Sequence, residues 1–320
     1  MTAFTSSLNT LATWASFLTC VALAWEPVRA AAQRLCERLG EWSVALLLLP
    51  YLLATNAAVS AGDLLRFAVF LGVPVLVLRW RPPSALPFDR FQLLALLAIW
   101  FPVEPDLFLL IADGCTPGLS LHTLQLAEHA ALPPVSGTLA TDLELPLEKL
   151  TAFLLTLYLF TIRHPVRGLG YIARWSRADL IRALVAFAGF AAVAIPLALT
   201  IGFVSFTPKT PSLEQLVLRL LGGYLIVALP EEVLFRGLIQ NWLLARSGRP
   251  ALALVVSSAV FGLAHLNNPT GGFDVPNGAY AAMAFLAGSA YGWVFWRTGK
   301  ATVSALTHAL VNFLWFTAFK

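Results

Sequence analysis

The 320 residues are 58% hydrophobic and only 12% charged, where a soluble domain carries about 25% charged residues; with a mean hydropathy of +0.77, water is excluded as the main solvent. The net charge of +4 comes from Lys and Arg in short clusters between apolar runs, not from one patch, which argues for membrane topology and against a nucleic-acid partner. Cys20, Cys36 and Cys115 are odd in number and widely spaced, with no CxxC pair, so neither a disulfide framework nor a zinc site is indicated.

Apolar runs long enough to cross a bilayer, which takes about 20 residues of helix, recur along the chain. The candidate spans are 9–25, 43–59, 64–78, 91–111, 147–163, 183–204, 217–243, 251–267, 279–296 and 301–319, giving an all-α, polytopic integral membrane protein of about ten transmembrane helices. The first apolar stretch has an uncharged N-flank and reads as a retained span, not a cleaved leader. Val28 to Trp42 is amphipathic, as expected of a helix lying in the membrane interface or of a simple connector. Two spans are strained: 91–111 contains Pro102, Glu104, Pro105 and Asp106, and 147–163 carries Glu148 and Lys149 at its edge.

The connecting segments alternate in charge. Arg29, Arg34 and Arg38, then Arg79, Arg81 and Arg90, then Arg163 to Arg182, then Arg246 and Arg249, then Arg297 and Lys300 mark the cytoplasmic side. Asp63, the acidic 112–149 loop, the 205–216 loop and Asp274 fall on the other side, which places both termini outside. One boundary is drawn, between an N-terminal transmembrane region, 1–165, of unknown role and a C-terminal region, 166–320, that holds every chemically unusual residue.

Ionisable groups inside hydrocarbon are costly and need partners or a function. In LIVALPEEVLFRGLIQNWLL, Glu231 and Glu232 follow Pro230, and Arg236 follows one turn after Glu232. Residues four apart share a helix face, so Glu232 pairs with Arg236 and Glu231 faces elsewhere as the candidate base. Pro230 removes a backbone hydrogen bond and bends the helix. His265 stands near the end of the next apolar run, one turn after Phe261. His308 and Asn312, again four apart, offer an imidazole and an amide from one face, the kind of donor pair that stabilises an oxyanion. Ala284, Gly288 and Gly292 permit close helix packing, which gives the intervening span a scaffold role.

The set EExxxR at Glu231, Glu232 and Arg236, FxxxH at Phe261 and His265, and HxxxN at His308 and Asn312 resembles the CAAX-protease and bacteriocin-processing (CPBP, or Abi) family over roughly 170–320. The resemblance implies a glutamic-type intramembrane endopeptidase with no metal and no cofactor. Residues matching Glu231 and His265 would activate a water, those matching His308 and Asn312 would hold the oxyanion, and those matching Glu232 and Arg236 would fix the motif helix and help position substrate. It also implies a membrane-anchored or exported protein substrate, cut for example at a C-terminal tail or sorting signal, with the lipid bilayer as the other partner. A bacterial inner (plasma) membrane is the expected location.

Two other readings stay open. Glu231, His265 and His308 could bind zinc in a metal-dependent membrane protease, although HExxH is absent; or the polar groups join the helices of a non-catalytic scaffold or immunity protein. Helix arithmetic adds a tension. At about 1.5 Å rise per residue, Glu231 lies about 21 Å from the outer start of its span and His265 about 21 Å from the inner start of its own. A working site therefore requires the two to converge, with Glu231 and His265 within hydrogen-bond or single-water distance and His308 and Asn312 lining the same cavity.

Overall fold

The computed structural model describes residues 15–49, 61–82, 89–103, 130–131, 144–145, 147–270 and 272–320. Their regular structure is helical except for one antiparallel pairing of Ala130–Ala131 with Glu144–Leu145 and two isolated bridges. The chain divides into two compact units, Met1–Val166 and Arg167–Lys320.

In the first unit, α1 (Glu26–Leu39) carries Pro27 in its first turn and leads into a 3₁₀ segment, Gly40–Leu47. Val28, Leu35 and Trp42 of the amphipathic stretch are exposed, Trp42 at 84%. Helices α2 (Ala61–Arg79) and α3 (Arg90–Trp100) pack on each other. Asp89 caps α3 by accepting from the amides of Phe91 and Gln92 at 2.9 Å. The strained 91–111 span stops as a helix at Trp100, with Phe101–Val103 in a turn; Pro102, whose ring cannot continue a helix, lies in that turn. Glu104, Pro105, Asp106 and most of the acidic 112–149 loop lie outside the described residues, as do 9–14 and 50–59 of the first two candidate spans. Helix α4 (Leu147–Leu157) continues as a π segment, Tyr158–Arg163.

The second unit makes five helical passes of alternating direction. Helix α5 (Arg177–Thr200) starts six residues before its candidate span because Ser176 and Asp179 form a capping box, which satisfies amides the first turn would leave bare. Next comes a continuous helical run, α6, from Leu213 to Ser247, begun by a second capping box of Ser212 and Gln215. Its winding changes along the way, with π segments at Gly223–Ala228 and Val233–Gln240 flanking an α turn, Leu229–Glu232. Pro230 sits in that short turn, so the missing amide falls where the ladder is already re-registered by a π segment. Helices α7 (Pro250–Leu263), α8 (Gly278–Thr298) and α9 (Ala301–Ala318) complete the unit.

The turns explain why the passes reverse so tightly. Gly248 and Gly299 adopt φ of 65° and 66° after α6 and α8, the left-handed geometry that closes a helix C-terminus and that glycine enters without steric cost. At this end of the bundle the backbone N–H of Ala301 bonds to Gly170 and Lys300 bonds through Nζ to Asp179 at 2.7 Å. At the opposite end Ser205 and Lys320 exchange backbone bonds, and the ring of Phe203 meets those of Phe273, Tyr280 and Trp315.

Small residues set the packing. Ala183, Ala186, Ala194 and Ala198 form the buried stripe of α5, and Ala183 and Ala186 meet Val294 of α8 and Val303 of α9. Among the described residues α5 and α9 are the two helices long and apolar enough to cross a membrane; only 17% of the apolar window of α5 is buried in the fold. Its outer face shows Ile181, Leu184, Val185 and Val193, each more than half exposed.

Candidate active site

The two adjacent glutamates have different surroundings. Glu232 is fully buried and its carboxylate is held on both oxygens. Oε1 accepts from His308 Nδ1 at 3.1 Å, and Oε2 lies 2.6 Å from Ser304 Oγ and 3.2 Å from Arg236 Nε. The i,i+4 pair with Arg236 is therefore present, and His308 is a third partner that helix spacing did not show. Glu231 keeps 20% of its side chain exposed and places Oε2 4.0 Å from Nε2 of the same imidazole. One histidine is thus bracketed by both carboxylates.

Arg236 is sealed completely. Nη2 donates to the Gly288 carbonyl at 3.2 Å, and the guanidinium stands 4.9 Å from the Phe261 ring centroid and 5.8 Å from that of Tyr291. Ring faces supply the electrostatic company that hydrogen bonds give elsewhere; Nη1 has no hydrogen-bond partner among the described residues. One turn on, Gln240 repeats the arrangement, donating to the Gly292 carbonyl at 3.0 Å and accepting from Ser257 at 3.2 Å. A Cβ at Gly288 would come within 3.1 Å of Arg236 Nη2, and one at Gly292 within 2.8 Å of Gln240 Oε1. The small-residue stripe expected to let helices approach is what brings the α8 carbonyls within reach of these two side chains.

Each histidine is stacked on a tyrosine of α8. The His308 ring lies 4.5 Å from Tyr291 at 13°, and the His265 ring 5.3 Å from Tyr280 at 20°. Tyr280 and Tyr291 are eleven residues apart, close to three full turns, and so share a helix face. Phe261 bridges the two, its ring 4.6 Å from His265 and 5.8 Å from His308. His265 Nδ1 donates to the Phe261 carbonyl at 2.8 Å, because a carbonyl can only accept. In both rings Nδ1 is the nitrogen committed to an acceptor oxygen.

His265, His308 and Asn312 line one cavity of about 360 Å³, walled otherwise by aromatic and apolar groups including Tyr280, Met283, Trp315 and Phe316. Helix α7 ends at Leu263, and His265 lies in the turn beyond it. Ser304, Tyr280, Tyr291 and Gln240 were missed from sequence. Ser304 had a signal, since it stands one turn before His308 on the face that also carries Asn312. Among the described residues no three His, Cys, Asp or Glu side chains converge to hold a metal ion.

A buried carboxylate–imidazole pair, Glu232 with His308, thus stands beside the second carboxylate of Glu231. Residues 213–314 match the family described as Type II CAAX prenyl endopeptidase Rce1-like, and that stretch includes Glu231, Glu232, Arg236, Phe261, His265, His308 and Asn312. No curated protein and no solved structure matched the chain.

Proposed function

We propose that the chain is an intramembrane endopeptidase in which Glu231 and His265 activate a water against a peptide carbonyl. The observation that carries this reading is the division of labour at His308, with Nδ1 fixed by Glu232 at 3.1 Å and Nε2 turned towards Glu231 at 4.0 Å. Environment separates two carboxylates into two tasks, as acid–base sites require. In the proposed reaction Glu231 accepts a proton from water as its oxygen bonds to the carbonyl carbon. Asn312 donates to the oxyanion, and His308, on the same face of α9, stands beside it. Glu231 returns the proton to the departing amine as the C–N bond breaks. Glu232, Ser304, Arg236 and Tyr291 hold the imidazole in place.

The membrane setting is part of the proposal. It is supported by the composition, by the family match and by α5, whose apolar face is left bare by its neighbours. A scaffold would account for the buried network of Glu232 but not for a walled cavity bordered by two histidines and an amide. The test is cleavage of a labelled membrane-anchored peptide by detergent-purified protein. Glu231→Gln and His265→Ala should each lower the rate about 10²- to 10⁴-fold, and chelator should leave it unchanged. Wild-type rates from folded Glu231→Gln protein would overturn the assignment, and chelator inhibition reversed by zinc would favour a metal enzyme.

A further inference from the structure

We infer that the cavity is served from the non-cytoplasmic side, so that the substrates are membrane-anchored proteins whose scissile segment projects outward. The substrate class rests on the proposed peptidase reading; the sidedness does not.

Two observations within the second unit carry it. The first is the distribution of charge between the two ends of the bundle. One end gathers Arg167, Arg174, Arg177 and Arg182 before or at the start of α5, Arg246 and Arg249 between α6 and α7, and Arg297 and Lys300 between α8 and α9. Asp179 is the acidic residue among them, and it is taken by Lys300 at 2.7 Å. The opposite end carries Lys209, Glu214, Arg219, Asp274 and Lys320, three basic residues against two acidic, with Lys209 and Arg219 both standing over the Phe316 ring. Short loops rich in Lys and Arg stay in the cytoplasm, which sets the arginine end inside.

The second is where the site is closed. Towards the arginine end it has a floor of wholly buried groups. Glu232, Arg236, Ser304 and Ser257 are all at 0% exposure, with Tyr291 at 1% and Gln240 at 3%. Towards the other end the groups are partly open. His265 lies beyond the end of α7, Tyr280 in the first turn of α8, and Asn312, Trp315 and Phe316 in the last two turns of α9; all five border the cavity and none is fully buried. Phe203, also on the wall though itself buried, follows the last turn of α5. Every helix that walls the cavity near its mouth does so with the end remote from the arginines. Water and a peptide segment therefore reach His265 and Asn312 from the outer side, while the Glu232 network blocks a route from the inner side.

The test uses the full chain with Cys20, Cys36 and Cys115 replaced by serine, and one new cysteine at exposed Asp274 or at exposed Arg249, neither of which is in the site. In intact bacterial cells a membrane-impermeant maleimide should label Asp274→Cys as fully as after permeabilisation. It should label Arg249→Cys only after permeabilisation. The reverse pattern overturns the inference, and so does equal behaviour of the two positions, which would show that they do not lie on opposite faces. A paired readout is a single-span reporter with one cleavage sequence placed either outside or inside the anchor. Only the outward version should be cut in cells, and cutting of the inward version alone overturns the inference. Detergent-solubilised enzyme meets both versions from both sides, so failure to cut either one there would refute the peptidase reading while leaving the labelling result standing.

Discussion

The floor and the mouth of the cavity are built from neighbouring residues of the same helices, yet they obey different rules. In the floor, Glu232, Arg236, Ser304, Gln240 and Ser257 are buried and satisfied mainly by one another or by α8 carbonyls. At the mouth, His265 and Asn312 are partly exposed and border the cavity, and Glu231 keeps 20% of its side chain exposed. A buried charge must be matched to survive, and removing one member leaves the other stranded. A group at the edge of a cavity can change protonation state and meet a substrate without that penalty. The two glutamates are adjacent in sequence but belong to these two regions, so mutation should affect stability in one and chemistry in the other.

The largest contrast is expected between Glu232→Gln and Glu231→Gln. Glu232→Gln leaves the Arg236 guanidinium fully buried without its counter-charge and leaves one acceptor oxygen where two now serve His308, Ser304 and Arg236. It should cost about 3 to 5 kcal/mol, read as a marked fall in thermal midpoint in detergent, together with activity. Glu231→Gln should leave that midpoint almost unchanged. The comparison sharpens in the double variant Glu232→Gln/Arg236→Met, which removes the stranded cation and should be more stable than Glu232→Gln alone. A double variant no more stable than the single would show that the Arg236 charge is not what Glu232 offsets.

A smaller effect tests the packing that sets the floor beneath the mouth. A Cβ at Gly262 would stand 2.6 Å from the Ala281 carbonyl oxygen, and the backbone of α8 cannot yield as a side-chain tip would. Gly262→Ala should cost about 1 to 3 kcal/mol through overpacking. By shifting α7 against α8 it should also disturb the stacking of His265 on Tyr280 and lower the cleavage rate. Gly223→Ala, where a Cβ meets nothing within 4 Å, is the control and should be tolerated.

How much of this was legible in the sequence follows from the range of the interactions. Contacts between residues four apart on one helix were readable, which is why Glu232 with Arg236 and the shared face of His308 and Asn312 could be stated from spacing alone. The partnership of Glu232 with His308 was not readable, because 76 residues separate them and a register along one helix says nothing about its neighbour. The π segments at Gly223–Ala228 and Val233–Gln240 widen the turn on both sides of the glutamates, so a wheel drawn at 100° per residue loses phase there. The capping boxes at Ser176 and Ser212 were present in the sequence as S-x-x-D and S-x-x-Q. Span assignment by hydropathy passes over them because its window averages polar caps away, which is why α5 and α6 begin earlier than their apolar runs.

The smallest expected effect comes from the arginine end, which the floor separates from the chemistry. Lys300 reaches Asp179 at 2.7 Å and the Arg174 carbonyl at 2.9 Å, but it does so with 21% of its side chain still exposed. Arg182 stands 3.5 Å from the other oxygen of Asp179. Lys300→Met should therefore cost no more than about 1 kcal/mol, the usual scale for a solvent-screened pair, because Arg182 still faces the carboxylate and Ser176 still donates its amide to it at 2.8 Å. Cleavage should be unaffected. Asp179→Ala should cost more, since it removes both ion pairs and half of the capping box of α5 at once. If Lys300→Met slowed cleavage as strongly as a change at the mouth, the two ends would be coupled through α9, whose first turn contains Thr302 and Ser304 and whose second contains His308. The floor would then transmit strain to the imidazole and would not simply close the cavity from below.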